Sequence, residues 1–123
     1  MWFAPVIPMT PKDVLEFRDV IRPVFAKFKF EACITLTALN ERCFDCTLPI
    51  LFDRDNPQEI ENAQACYTEL ARECADHGYF AYRLGLPSMA AEVERPDVFW
   101  DVVGKIKSAL DPAGILAPGR YSR

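Results

Sequence analysis

Residues 31–38 alternate: Ala32, Ile34, Leu36 and Ala38 fall on one side, Cys33, Thr35 and Thr37 on the other. A period of two predicts a half-buried strand. Asn40-Glu41 predicts a turn, and Cys43 to Phe52 a return strand with Phe44, Cys46, Leu48, Ile50 and Phe52 on a shared face. Pro49 predicts that this strand lies at an edge or bulges, because proline donates nothing to a ladder. Trp2 to Met9 reads as an earlier apolar strand, and Tyr79 to Leu84 as a later one.

Between these runs the period changes to that of a helix. Val14, Phe17, Ile21, Val24 or Phe25, and Phe28 recur every three or four residues after a start at Thr10-Pro11-Lys12-Asp13. Thr10 is the expected cap, Pro11 the first helical residue and Asp13 the capping acid. Pro23 predicts a kink, or an end near Arg22. Asn56-Pro57 opens the second helix, with Glu59 in its first turn. Ile60, Ala63, Cys66 or Tyr67, Leu70 and Cys74 form its inward stripe, and Gly78 its left-handed stop. A third helix is expected from Asp97 to about Leu110, begun by Pro96, with Val98, Val102, Ile106 and Leu110 facing inward.

The order strand, helix, strand, strand, helix, strand predicts an α+β, ferredoxin-like βαββαβ fold. It is an antiparallel sheet with both helices on one face, followed by a C-terminal helix and an extended tail. Residues 1–95 form the sheet domain in this reading, and residues 96–123 the helix and tail.

Composition narrows the function. The 123 residues allow one modest core, and half of them are apolar. A net charge of −4 leaves no basic stripe, which argues against nucleic acid. No apolar run reaches the length of a membrane span, so no membrane is expected. With only five glycines the chain has no glycine-rich phosphate cradle of its own. Cys43-Phe-Asp-Cys46 has redox or zinc spacing, but no second such pair exists and His77 is the one histidine. On a strand the two sulfurs face opposite sides, so ordinary reduced thiols, no metal site and a cytosolic setting are the expectation.

The candidate chemistry lies in His77-Gly-Tyr-Phe-Ala-Tyr82-Arg83 and in the tail Leu116-Ala-Pro-Gly-Arg120-Tyr-Ser-Arg123. Ala109-Leu-Asp-Pro-Ala-Gly-Ile-Leu-Ala-Pro-Gly119-Arg120 resembles the C-terminal signature of the vanillyl-alcohol oxidase and p-cresol methylhydroxylase (4-cresol dehydrogenase) flavoproteins. Gly78-Tyr-Phe-Ala-Tyr82-Arg83 is similar to their G-[YW]-x-x-Y-R segment. Trp2-Phe-Ala-Pro5 and Asp53-Arg-Asp-Asn-Pro57 fall at matching places. The resemblance covers essentially the whole chain and implies the latter part of a cap (substrate) domain, plus a tail that returns to an FAD-binding domain outside it.

What the resemblance implies is a fragment or subunit of an FAD-dependent oxidoreductase that oxidises para-substituted phenols by hydride transfer. Tyr82 and Arg83 are assigned to grip the phenol oxygen. A hydroxyl and a guanidinium on one oxygen favour the phenolate, lowering the phenol's pKa from about 10. Arg120 is assigned to the flavin edge, where a fixed positive charge favours the hydride-accepting flavin. FAD, bound mainly elsewhere, is the implied cofactor. The implied partners are an FAD-binding domain or companion chain and a cytochrome or oxygen as electron acceptor, with a homodimer allowed. The location is cytoplasmic, or periplasmic if the enzyme is cytochrome-linked.

Two features pull against this assignment. Adjacent residues on a regular strand face opposite ways, so Tyr82 and Arg83 share a pocket only at a bulge or strand end, for which Leu84-Gly-Leu-Pro87 provides. Where relatives carry acidic and histidine residues in the central strands, this chain has Thr35, Thr37, Cys43, Phe44 and Asp45, which leaves the base unassigned. The alternative is a non-catalytic ferredoxin-like module that binds a small aromatic ligand or mediates dimerisation. Tyr79 reads as core and His77 as the end of its helix.

Overall fold

A computed structural model describes residues 1–85, 88–89 and 97–120, in two compact units, Met1–Arg83 and Leu84–Arg123. In the first unit the order is β1 (Trp2–Phe3), β2 (Val6–Pro8), α1 (Pro11–Lys27), β3 (Thr35–Ala38), β4 (Cys43–Pro49) and α2 (Pro57–Asp76). β4 is the centre of an antiparallel sheet. β1 and β2 run in succession along one of its edges, and β3 along the other. Pro5 interrupts the first strand, yet its carbonyl still accepts the Cys46 N–H at 3.0 Å. Beyond it Ala81 makes a lone antiparallel bridge with Pro5. Across the sheet the order is therefore Ala81, β1/β2, β4, β3, the split βαβ arrangement expected, with its last strand reduced to one bridge.

Both helices start where local chemistry dictates. The Thr10 hydroxyl oxygen accepts the Asp13 N–H at 3.1 Å, and Thr10 donates its proton to the Asp13 carboxylate. The Asn56 side chain accepts the Gln58 N–H at 3.1 Å, while Glu59 takes the Asp53 N–H at 2.8 Å. The Thr10 and Asn56 bonds satisfy donors that a helix leaves open at its start, and the Glu59 bond ties the preceding loop to the first turn of α2. α1 buries Phe17, Ile21, Val24 and Phe25, and α2 buries Ala63, Cys66, Leu70 and Cys74. Both stripes close over Phe3, Ile7, Cys46, Leu48 and Ile50 from one face of the sheet, forming a single core. Gly78, at φ +82°, ends the turn after α2.

Several expectations are corrected. α1 does not end at Arg22 but runs through Pro23 to Lys27. Pro23 removes only the bond to the Asp19 carbonyl, and burial of Val24 and Phe25 carries the next turn. β4 is central rather than an edge. Pro49 is tolerated because it is the last residue of β4, and β3 has already stopped pairing at Thr35 opposite Thr47. The strand expected over 31–38 is paired only from Thr35.

In the second unit α3 spans Val98–Leu110, capped by Asp97, whose carboxylate accepts the Phe99 N–H at 2.8 Å. The face expected to point inward is exposed: Val98 and Leu110 each at 76%, Ile106 at 54%, Val102 at 47%. Trp100 packs instead with Met89, Leu84 and Val103. Periodicity reveals that a helix has an apolar stripe, not what covers it. Pro96 and Leu86-Pro87, singled out above, lie outside the described residues.

Candidate functional site

Tyr79 ties the segment 77–83 to the core. Its ring meets Phe17 edge-on at 5.5 Å, and its hydroxyl donates to the Asp13 carbonyl at 3.3 Å. Burial, with the Glu16 and Asp13 carboxylates nearby, holds that hydroxyl above the ordinary tyrosine range, so Tyr79 is structural, as expected. His77 caps α2, its Nδ1 lying 2.9 Å from the Glu73 carbonyl.

From Tyr79 the chain meets the sheet at three points and leaves it. Val6 donates to the Phe80 carbonyl at 3.0 Å, Ala81 bridges Pro5, and Tyr82 donates its N–H to the Ala4 carbonyl at 3.1 Å. The backbone then bends at Tyr82 and Arg83. Strand alternation therefore does not force these two side chains apart, because the segment stops being a strand where they begin. Ala81 packs toward the core, so Phe80 beside it on the paired backbone faces the side of the sheet that the helices leave open, while Tyr82, at the bend, is 53% exposed. Arg83 is exposed as well.

That open face also carries Val6, Asp45 and Thr37, which stand opposite one another in register, and then Thr35 opposite Thr47. Asp45 has a buried carboxylate oxygen, Oδ1, with no hydrogen-bond partner among the described residues. A buried oxygen without a donor is costly, and native folds keep such groups mainly where something else supplies the partner. The alternation around Cys43-Phe-Asp-Cys46 placed Asp45 on this face; its lack of a partner was not legible, because it depends on which side chains the register brings beside it.

The CxxC pair splits across the sheet as expected. Cys43 is half-buried on the open face, and Cys46 is wholly buried beneath it. Burial, and secondarily the Asp45 charge, pushes the Cys46 thiol up to about 12. A cavity of about 780 Å³ lies on the outer side of α1 and α2, lined by Glu16, Asp19, Lys27, Glu69, Glu73 and His77 among others. Its carboxylates make it a poor seat for a phenolate, and neither Tyr82 nor Arg83 lines it.

Arg120 belongs to the second unit. It is exposed, and it closes a turn in which its N–H donates to the Ala117 carbonyl at 3.1 Å. With Pro118 second and Gly119 third at φ +73°, this is a type II turn. An exposed guanidinium can partner an electron-rich ring edge such as that of a flavin, whereas the described residues offer no phosphate cradle for the rest of FAD.

The family model for the C-terminal domain of FAD linked oxidases matches residues 9–121, and the chain belongs to that family. It is 38% identical over 121 residues to 1'-carboxy-chondrochloren decarboxylase of Chondromyces crocatus, covering 98% of this chain and 22% of that protein. It is 32% identical over 122 residues to the 4-cresol dehydrogenase [hydroxylating] flavoprotein subunit of Pseudomonas putida, covering 98% of this chain and 23% of that one. Among solved structures, p-cresol methylhydroxylase with substrate bound superposes with a TM-score of 0.91 at 30% identity, covering 98% of this chain and 24% of the other. 4-Ethylphenol oxidase from Gulosibacter chungangensis, in complex with isoeugenol, superposes at 0.87 with 22% identity, covering 99% and 24%, and shares the fold. The chain thus spans less than a quarter of the length of these proteins.

Proposed function

We propose that this chain is the substrate-side, C-terminal part of an FAD-dependent oxidoreductase that oxidises para-substituted phenols. The observation that carries this reading is the bend at Tyr82-Arg83, which releases a hydroxyl and a guanidinium from the sheet edge beside the open face bearing Asp45.

Tyr82 and Arg83 donate to the phenol oxygen and favour its phenolate. Electron density then moves toward the para carbon, which eases loss of a hydride from the attached carbon. A bound flavin supplies the acceptor for that hydride. Arg120 holds positive charge at the flavin's pyrimidine edge. Asp45 accepts a proton from a hydroxyl or water near the para substituent, which gives its unpartnered oxygen a donor. The FAD-binding region is contributed by sequence outside this chain or by a companion chain. The electrons pass on to oxygen in a cytoplasmic enzyme, or to a cytochrome in a periplasmic one. One relative is a decarboxylase of a 1'-carboxy compound, so phenols that bear a carboxyl group are a second substrate type to test.

The test is anaerobic addition of 4-alkylphenols, 4-hydroxybenzyl alcohols and carboxyl-bearing phenols to the flavin-loaded protein. Bleaching of flavin absorbance that Arg83→Ala slows at least tenfold is the expected result. A flavin that no phenol bleaches, or bleaching indifferent to Arg83, would overturn the reading.

A further inference from the structure

Asp111 is the buried charged residue among those described, its side chain only 3% exposed. Its carboxylate is fully engaged. Oδ1 accepts the Ile115 N–H at 3.0 Å, Oδ2 accepts the Leu116 N–H at 2.9 Å, and Lys107 Nζ pairs with Oδ2. Lys107 also donates to the Leu116 carbonyl at 2.5 Å. Both backbone groups of Leu116 are thus held by side chains anchored to the last turn of α3. Gly114 donates to the Asp111 carbonyl at 3.0 Å, closing a turn around Pro112 and Ala113. Arg120 follows Leu116 through the second proline turn described above.

Hydrophobic burial does not explain this arrangement. Ile115 and Leu116 are 74% and 60% exposed, so the tail is not fixed by packing its own apolar side chains. What fixes it is a desolvated carboxylate with its donors satisfied, an arrangement costly to build and sensitive to loss of any member. The Lys107 ammonium, followed by the backbone donors, holds the Asp111 carboxyl below the usual carboxylate range, so the clamp stays charged near neutral pH. One clamp residue and two turns leave Arg120 little freedom of placement.

We propose that Asp111, acting with Lys107, is the positioning residue for Arg120 and sets where that cation stands relative to a bound flavin. This rests on the reading of Arg120 given under Proposed function. Asp111 itself touches neither substrate nor cofactor. Its influence is on the flavin's midpoint potential, through the cation it places.

The test is a double-mutant cycle in the complete, flavin-loaded protein, reading flavin midpoint potential and thermal midpoint for wild type, Asp111→Ala, Arg120→Gln and the pair. Both single variants are expected to lower the potential. For Asp111→Ala the shift corresponds to about a tenfold weaker two-electron reduction, about 30 mV. In the Arg120→Gln background Asp111→Ala should add no further shift, although it still lowers the thermal midpoint. If Asp111→Ala changes only the thermal midpoint, or shifts the potential equally in both backgrounds, Asp111 is purely structural and the proposal fails while Arg120 keeps its role. If Arg120→Gln leaves the potential unmoved, the flavin-edge reading fails and the Asp111 role falls with it. Should Asp111→Ala not load flavin, Asp111→Asn, which keeps one acceptor oxygen, is judged by the same cycle.

Discussion

The Tyr79 ring lies edge-on against Phe17 with centroids 5.5 Å apart, so α1 holds the segment that delivers Tyr82 and Arg83. Removing the ring removes both a core aromatic and the tether. Tyr79→Ala is expected to cost about 3–5 kcal/mol of stability. Tyr79→Phe, which loses only the hydrogen bond to the Asp13 carbonyl, should cost about 1 kcal/mol. Urea unfolding midpoints at unchanged slope would separate the two.

Asp45→Val should raise stability and lower activity together. The substitution removes a buried oxygen without a partner and puts a β-branched residue in the middle of the central strand. A gain of about 1–2 kcal/mol is expected, with at least a tenfold loss of phenol turnover in the flavin-loaded protein. A loss of stability would mean that the carboxylate already has a donor.

The thiols should divide by exposure. Cys33 and Cys43 are expected to react with a thiol reagent in the native protein, and Cys46, Cys66 and Cys74 only on unfolding. Burial pushes Cys46 and Cys74 up to about 12 and Cys66 to about 11, from an ordinary 9.0. Because the folded values are raised, these thiols leave stability unchanged below pH 9.0. Between pH 9.0 and about 12 the unfolded chain sheds protons that the folded one keeps, so stability falls as pH rises through that window. Each thiol adds a slope of about 1.4 kcal/mol per pH unit from 9.0 up to its own folded value. Urea midpoints from pH 8 upward would show the onset, and Cys74→Ala should make the decline shallower.

Gly78→Ala tests conformation free of sterics. An added Cβ would meet nothing within 4 Å, but φ is +82°. The expected cost is about 1 kcal/mol, read as a lowered thermal midpoint without loss of flavin.

The helices were legible because their signals are local. Thr10-Pro11 and Asn56-Pro57 cap within three residues, and the stripes from Phe17 to Phe25 and from Ala63 to Cys74 meet partners in the same unit. The order of the sheet followed from the element order. The role of Pro49 did not, because whether a missing N–H matters depends on where the neighbouring strand stops. The segment after Gly78 looks like a strand in composition, but the backbone bends at Tyr82 and Arg83 directly after it meets Pro5, leaving one bridge at Ala81. For α3 the stripe was correctly seen and wrongly turned inward. At the candidate site, Tyr82, Arg83 and Arg120 were visible as motif residues, whereas the lone oxygen of Asp45 and the clamp of Asp111 exist only once the chain is folded.

Two prolines in the tail have a kinetic consequence. Pro112 and Pro118 each sit second in a hydrogen-bonded turn, where a ring that fixes φ narrows the unfolded ensemble. The tail is therefore largely shaped before any partner surface covers it, and little further ordering entropy would be lost on docking. If the tail docks on such a surface, association should depend mainly on collision and orientation rather than on a slow folding step, and weakening either turn should slow it.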